Sequence, residues 1–421
     1  MITTLSLLPG VTLRCFRDTR VKQRCLSVQF VRPMCREEAS LNALLPAVLL
    51  RGSVNAPDMR SVTLRLDDLY GASMGTLVRH IGDYQTTGLY CSFISDEYTL
   101  DDDTIFAPMV AFLREILLQP VLENGVFRAD YIQSEKKNLI STIEAQRNDK
   151  RAYAAQQLFA KMCPKDAYGI PRLGEISRVR AITPEGAYAH YRRVLKESPI
   201  EIFYVGELSA EAVAEQILPV FQSMERSYVN LKDQTPFTSS GGGEFTETMD
   251  VEQGKLTMGF VTPITLREEA FAAMQVCNTV LGAGMTSKLF MQVREKMSLC
   301  YDIGSAYYGS KGILGVYAGI DCSKEQTVRQ EVLRQLEKMT QGEITEEEMT
   351  AAKQALISRL RSTHDTPGAI ENYYATGALS GMDMIPETYI AKIEAVTARQ
   401  VAEVAKTLTL DTVYFLKGVQ A

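Results

Sequence analysis

The sequence predicts an α+β chain made of two homologous halves, each an antiparallel-rich sheet packed with helices. Three observations carry that expectation. Apolar strands cluster ahead of long amphipathic helices in each half, instead of alternating strictly with them. Three segments recur in the same order along the 421 residues. A polar, Gly/Ser-rich stretch separates the two copies.

The first repeated segment is FVRPMCREEASLNALLPAVLLRG, from Phe30, which returns from Phe260 as FVTPITLREEAFAAMQVCNTVLGAG. Each reads as an apolar strand, a Pro-containing turn, and Arg-Glu-Glu-Ala opening an apolar helix. Arg36-Glu37-Glu38-Ala39 thus pairs with Arg267-Glu268-Glu269-Ala270, and acidic residues in a first helical turn complement the helix dipole. The second match is EKKNLISTIEA (135–145) with AAKQALISRLR (351–361), both apolar at helical spacing. The third is EIFYVGEL (201–208) with TVYFLKGV (412–419), both apolar strands reaching a glycine. Repetition in register marks a duplicated domain.

The expected domains are therefore 1–225 and 246–421. The linker spans 226–245 around Ser239-Ser240-Gly241-Gly242-Gly243, a composition that favours flexible coil. In the first half, 86–95 reads as a strand, and 104–119 and 131–146 as helices. In the second, 301–321 reads as a hairpin turning at Gly309-Ser310-Lys311-Gly312.

Composition narrows the function classes. Hydrophobic content of 46% and charged content of 23% are those of a globular chain. With 45 Lys+Arg against 51 Asp+Glu, the formal net charge is −6, which opposes a nucleic-acid binder. The longest apolar run, 41–50, contains Asn42 and Pro46 and falls well short of the roughly 20 residues a membrane helix needs. No basic patch precedes an apolar stretch near the N-terminus, so a cytoplasmic location is expected. The eight cysteines contain no C-x-x-C pair and read as free thiols in a reducing compartment. His80, His190 and His364 are too scattered to form a local two-histidine metal site.

Over nearly its whole length the chain resembles the insulinase/pitrilysin-type (M16) metallopeptidases, which include mitochondrial processing peptidase and its bacterial relatives. The likeness lies in LLRGS (49–53) followed by LRLDDLYGAS (64–73), and in LREILLQPVLENGVF (113–127). It continues through DAYGIPRLGEISRVRAITPEGAYAHYRRV (166–194) and peaks in LGAGMTSKLFMQVREKMSLCYDIGSAYYGSKGILGVYAGI (281–320). The resemblance implies half of a clam-like chamber that encloses unfolded peptides.

The same resemblance exposes a departure. Active members carry H-x-x-E-H on the first helix: two histidines bind zinc, and the glutamate activates the metal-bound water. Aligned on residues 49–53, this chain has Ala43 and Ala47 at the histidine positions and Pro46 at the glutamate position. The third ligand position falls near Ser134-Glu135, where Glu135 reads as a surface residue and one carboxylate cannot hold zinc. The expectation is a chain with no metal and no catalytic residues of its own.

A second family feature is kept. Active members supply an arginine and a tyrosine, seven residues apart, that orient the substrate backbone and stabilise the oxyanion. VREKMSLCYD places Arg294 and Tyr301 at that spacing. A guanidinium offers a planar donor fork, and a phenol can donate to a developing oxyanion. Some bacterial members divide the zinc motif and the Arg/Tyr pair between two chains. By that resemblance this chain is the non-zinc subunit of a heterodimer, with zinc on the partner and an unfolded peptide as substrate. The alternatives are a homodimer or scaffold of the same fold that binds peptides without cleaving them, and an autonomous peptidase with an unrecognised metal site.

Overall fold

The computed structural model describes residues 2–100, 103–232, 234–239, 241–380 and 385–418. Ser240 of the linker and Val419 at the end of the third repeat lie outside the described residues. Two compact units emerge. The first comprises Met1–Glu144, Pro171–Asp233 and Thr363–Thr376; the second comprises Ala145–Ile170, Gln234–Ser362 and Gly377–Ala421.

In the first unit the strands are β1 (Ile2–Leu8), β2 (Val11–Arg17), β3 (Gln23–Pro33), β4 (Ser73–Ile81) and β5 (Tyr84–Ile94). A short ribbon, β6 (Leu122–Glu123) and β7 (Val126–Phe127), and then β8 (Ile200–Gly206) complete the set. Among the described residues the main sheet runs β1-β2-β8-β3-β5-β4, antiparallel except for β2 beside β8. Residues 24–32 of β3 are buried without a break, the pattern of a strand paired on both edges and covered on both faces. Helices Ala39–Leu49, Phe106–Leu118, Pro184–Glu197 and Ala210–Gln222 pack their apolar stripes on this sheet, where Leu26, Val28 and Leu89 meet Phe112, Val194 and Ile217. Each such side chain removed from water contributes about 1.5–3 kcal/mol.

The second unit holds β9 (Gly243–Met249), β10 (Gly254–Val261), β11 (Cys300–Tyr308), β12 (Ile313–Ile320) and β13 (Thr409–Gly418), ordered β11-β12-β10-β13-β9. Read from the opposite edge this is β9-β13-β10-β12-β11, the same arrangement as β2-β8-β3-β5-β4. The parallel pair β2/β8 is matched by β13/β9. The hairpin turns where the sequence predicts, and Gly312 there has φ of +67°, a conformation that disfavours a side chain.

Each unit is completed by a helix from the other half of the sequence. Lys150–Met162 packs on β10 and β13, so close that a Cβ at Gly259 would stand 2.7 Å from Met162 Sδ. Thr363–Thr376, which includes most of helix Pro367–Ser380, joins the first unit. There the Glu371 carboxylate is 1% exposed. It accepts from Ser27 Oγ (2.7 Å), Gln29 Nε2 (2.9 Å) and both Nη atoms of Arg79 (3.0 and 2.6 Å).

Two expectations are corrected in detail. The Arg-Glu-Glu segments precede their helices rather than opening them: Glu38 caps Ala39–Leu49, Ala270 caps Phe271–Leu281, and neither first turn holds an acid. Ion pairs compete for these acids and win, Glu38 going to Arg32 and Glu37 to Arg178. The linker, meanwhile, is coil only as far as Gly242 among the described residues, because 243–245 already pair with β13 as the start of β9, and the coil is not loose. Ser227 and Val229 donate to the Lys196 and Glu197 carbonyls (2.9 and 2.8 Å), and Phe237 donates to the Lys311 carbonyl (2.9 Å).

Candidate functional site

The helix Ala39–Leu49 carries the degenerate motif. Pro46 has no N–H, so the Asn42 carbonyl one turn earlier loses its helical donor. Thr87 Oγ1 donates to it instead, at 2.6 Å. Ala43 is buried in the core and Ala47 is half-buried, each ending in a methyl group without a donor atom. A buried polar chain braces the same helix. Arginine can only donate, so the Arg193 contact at 3.0 Å makes His190 Nδ1 the acceptor. Nε2–H then donates to Asn42 Oδ1 (2.7 Å), and Asn42 Nδ2 donates to Gln85 Oε1 (2.9 Å). Gln85 Nε2 closes on the Ala39 and Arg172 carbonyls at 3.1 and 2.7 Å. Burial, then Arg193 and Arg32, push the His190 pKa down to about 3, so the imidazole is neutral.

Glu135 is not the surface residue its sequence suggested. It is buried on helix Ala129–Asn148 and ion-paired through Oε1 to Arg51 Nε, while Asn138 donates to Oε2 at 3.1 Å. Arg51 also donates to Ser134 Oγ. The carboxylate that the resemblance places near the third-ligand position thus already holds a cation, the guanidinium. No cluster of three or more His, Cys, Asp or Glu suited to a metal exists among the described residues. A zinc ion does not fit the groups present at positions 43, 46, 47 and 135.

Arg294 and Tyr301 belong to the second unit, and the backbone between them is irregular at three points. Arg294 lies on a π-helical turn, Phe290–Lys296, where the Met297 N–H reaches back to Gln292 at 3.0 Å. Ser298 is left-handed, with φ of +49°, uncommon for a residue other than glycine. The β11–β12 register then shifts between Cys300 and Asp302, which makes Tyr301 the bulged residue. π-turns, left-handed residues and bulges all recur where a side chain is aimed for function. Arg294 stacks on the Phe290 ring, 4.6 Å from its centroid. Tyr301 is 59% exposed, and its hydroxyl has no partner among the described residues. Burial and Asp302 raise the neighbouring Cys300 pKa to about 11, against the opposing pull of Arg294 and Lys324, so that thiol stays protonated.

Sequence reasoning missed Asn42, Thr87, His190 and Arg51. One signal was present: a proline inside an apolar helical run frees a carbonyl that needs another donor.

Comparison with known proteins follows this geometry. A family model described as the Peptidase M16 inactive domain matches residues 181–356, a span containing Arg294 and Tyr301. The "Probable inactive metalloprotease YmfF" of Bacillus subtilis (strain 168) is 28% identical over 411 residues, covering 98% of this chain and 96% of that protein. The family model and this relative both show a likeness to the M16 metallopeptidases. A crystal structure of a conserved protein from Enterococcus faecalis V583 is similar across 100% of this chain and 99% of its own, with TM-score 0.91 and 29% identity. The crystal structure of a peptidase M16 inactive domain from Pseudomonas fluorescens shares the fold at TM-score 0.81 and 18% identity, over 99% and 98% of the two chains. At the positions that the resemblance aligns with the family's zinc ligands and water-activating glutamate, this chain has Ala43, Ala47 and Pro46.

Proposed function

We propose that this chain is the non-zinc subunit of an M16-type heterodimeric peptidase, supplying Arg294 and Tyr301 to a zinc-bearing partner that hydrolyses unfolded peptides in the cytoplasm. The observation that carries the reading is the contrast between its two motifs. The positions aligned with the metal ligands hold two methyls, one in the core and one half-buried, and a guanidinium–carboxylate pair. The Arg294–Tyr301 stretch keeps a π-turn, a left-handed serine and a bulge that leave both side chains accessible. The left-handed Ser298 alone costs on the order of 1–3 kcal/mol, a cost a pure scaffold has no reason to retain. Zinc would then reside on the partner alone. The halves 1–225 and 246–421 are read as a duplication, supported by their matching strand orders.

The test mixes this chain with a homologue from the same genome that bears H-x-x-E-H. Size-exclusion chromatography reads complex formation, and cleavage of an unstructured peptide is measured for each chain alone and for both together. Cleavage requiring both chains is the expected result. A homodimer that ignores the zinc-bearing homologue, with no cleavage gained on mixing, would leave the peptide-binding scaffold instead.

A further inference from the structure

The second unit contains an open cavity of about 810 Å³, within the range of ligand-binding clefts. Its wall is β11 from Ile303 to Tyr308, a run of about 17 Å at strand rise, so the space suits an extended chain more than a compact molecule. Phe290, the ring on which Arg294 stacks, lines it, and Tyr301 lies two residues before Ile303. The cavity therefore continues from the Arg294–Tyr301 stretch.

Most of its polar lining is already committed. Ser305 Oγ donates to Asn278 Oδ1 at 2.7 Å, and the Tyr308 and Tyr317 hydroxyls pair with each other at 2.9 Å. Asp149 caps helix Lys150–Met162, accepting from the Arg151 and Ala152 N–H groups at 3.1 and 3.0 Å. The Gln275 amide and two guanidinium groups remain. Arg359 is exposed and forms no ion pair among the described residues. Arg151 meets Asp302 only at 3.6 Å, with the two side chains 61% and 40% exposed, a contact too wet and long to hold it. Asp149 and Asp302 offset these two charges, so what the cavity offers is a pair of exposed guanidinium forks, neither held in a close ion pair among the described residues, rather than an excess of positive charge.

We infer that the cavity takes an acidic segment of an extended peptide, its carboxylates gripped by Arg151 and Arg359; this rests on the peptide-handling role proposed above. A planar fork of donors matches a carboxylate in two-point contact. Acidic substrates would accordingly be preferred beside Arg294 and Tyr301.

The test uses the full chain and two dye-labelled, unstructured peptides, one carrying several glutamates and the other glutamines at the same positions. Binding is read by fluorescence anisotropy. The glutamate peptide is expected to bind at least about tenfold tighter, with the preference shrinking as salt rises. In the Arg151→Gln/Arg359→Gln variant the two peptides should bind alike, and Arg359→Glu should favour a lysine peptide over the glutamate one. Equal affinity of the wild type for both peptides, or an undiminished preference in the double variant, overturns the acidic site while leaving peptide handling intact. Failure of both peptides to bind overturns both readings.

Discussion

Replacing Tyr301 by Phe and Arg294 by Ala should separate catalysis from stability. The Tyr301 hydroxyl faces solvent, with no partner among the described residues and the side chain 59% exposed. Its removal should change folding stability by no more than about 0.5 kcal/mol, a Tm shift of roughly 2 °C or less. Arg294 gives up its stack on Phe290, 4.6 Å from the ring centroid, worth about 0.5–1 kcal/mol at an exposed site. Its contact with Glu295 at 3.8 Å joins side chains 41% and 50% exposed and adds close to nothing. In the pair with the zinc-bearing homologue the consequences should be far larger. Losing one oxyanion donor typically lowers turnover by about 10²–10³, equivalent to about 2.7–4 kcal/mol. Arg294→Ala should also raise KM, since its grip on the peptide is partly present in the ground state. The assay is steady-state cleavage of a quenched fluorescent peptide by the mixed pair, with thermal melts and complex formation checked for each variant. Unchanged kcat and KM in both folded variants would refute the reasoning, as would a stability loss above about 2 kcal/mol in Tyr301→Phe.

Other perturbations test the structural account. Glu371→Ala strands Arg79, Ser27 and Gln29 around an empty, buried site and should cost about 3–5 kcal/mol; an unmoved urea midpoint would contradict the buried pair. His190, with its pKa pushed down to about 3 in the folded chain, takes up a proton more readily once unfolded, near pH 6.5. Stability should be full above that pH and fall below it, by about 2 kcal/mol at pH 5. His190→Gln should flatten that slope in urea titrations at the two pH values; an identical slope in the variant would show that other groups cause it. Restoring the motif with Ala43→His, Pro46→Glu and Ala47→His should leave zinc well below one per chain by elemental analysis, because Arg51 occupies Glu135. Adding Arg51→Gln should raise the occupancy. Full zinc in the first variant would show that the guanidinium is no obstacle.

Local patterns were legible where local forces decide the outcome. Helices Phe106–Leu118 and Ala129–Asn148 and the hairpin of β11 and β12 fall where apolar spacing and Gly309–Gly312 predict them. The repeat reappears as one strand order used twice. What was not legible depends on partners remote in sequence. The exchange of Lys150–Met162 and Pro367–Ser380 between units is set by packing and by the buried Glu371, which no periodicity announces. Glu135 reads as a surface residue until Arg51, 84 positions away, comes to its side. Arg294 and Tyr301 were visible through spacing and resemblance, but the bulge at Tyr301 exists only in its register with β12.

The most direct measurement holds the zinc-bearing homologue at fixed concentration and titrates in this chain while following peptide cleavage. The account expects no cleavage by this chain, little by its partner, and a rate that rises to saturation at equimolar mixing. A zinc-bearing homologue that cleaves as fast alone as with this chain, or cleavage by this chain in isolation, would contradict it.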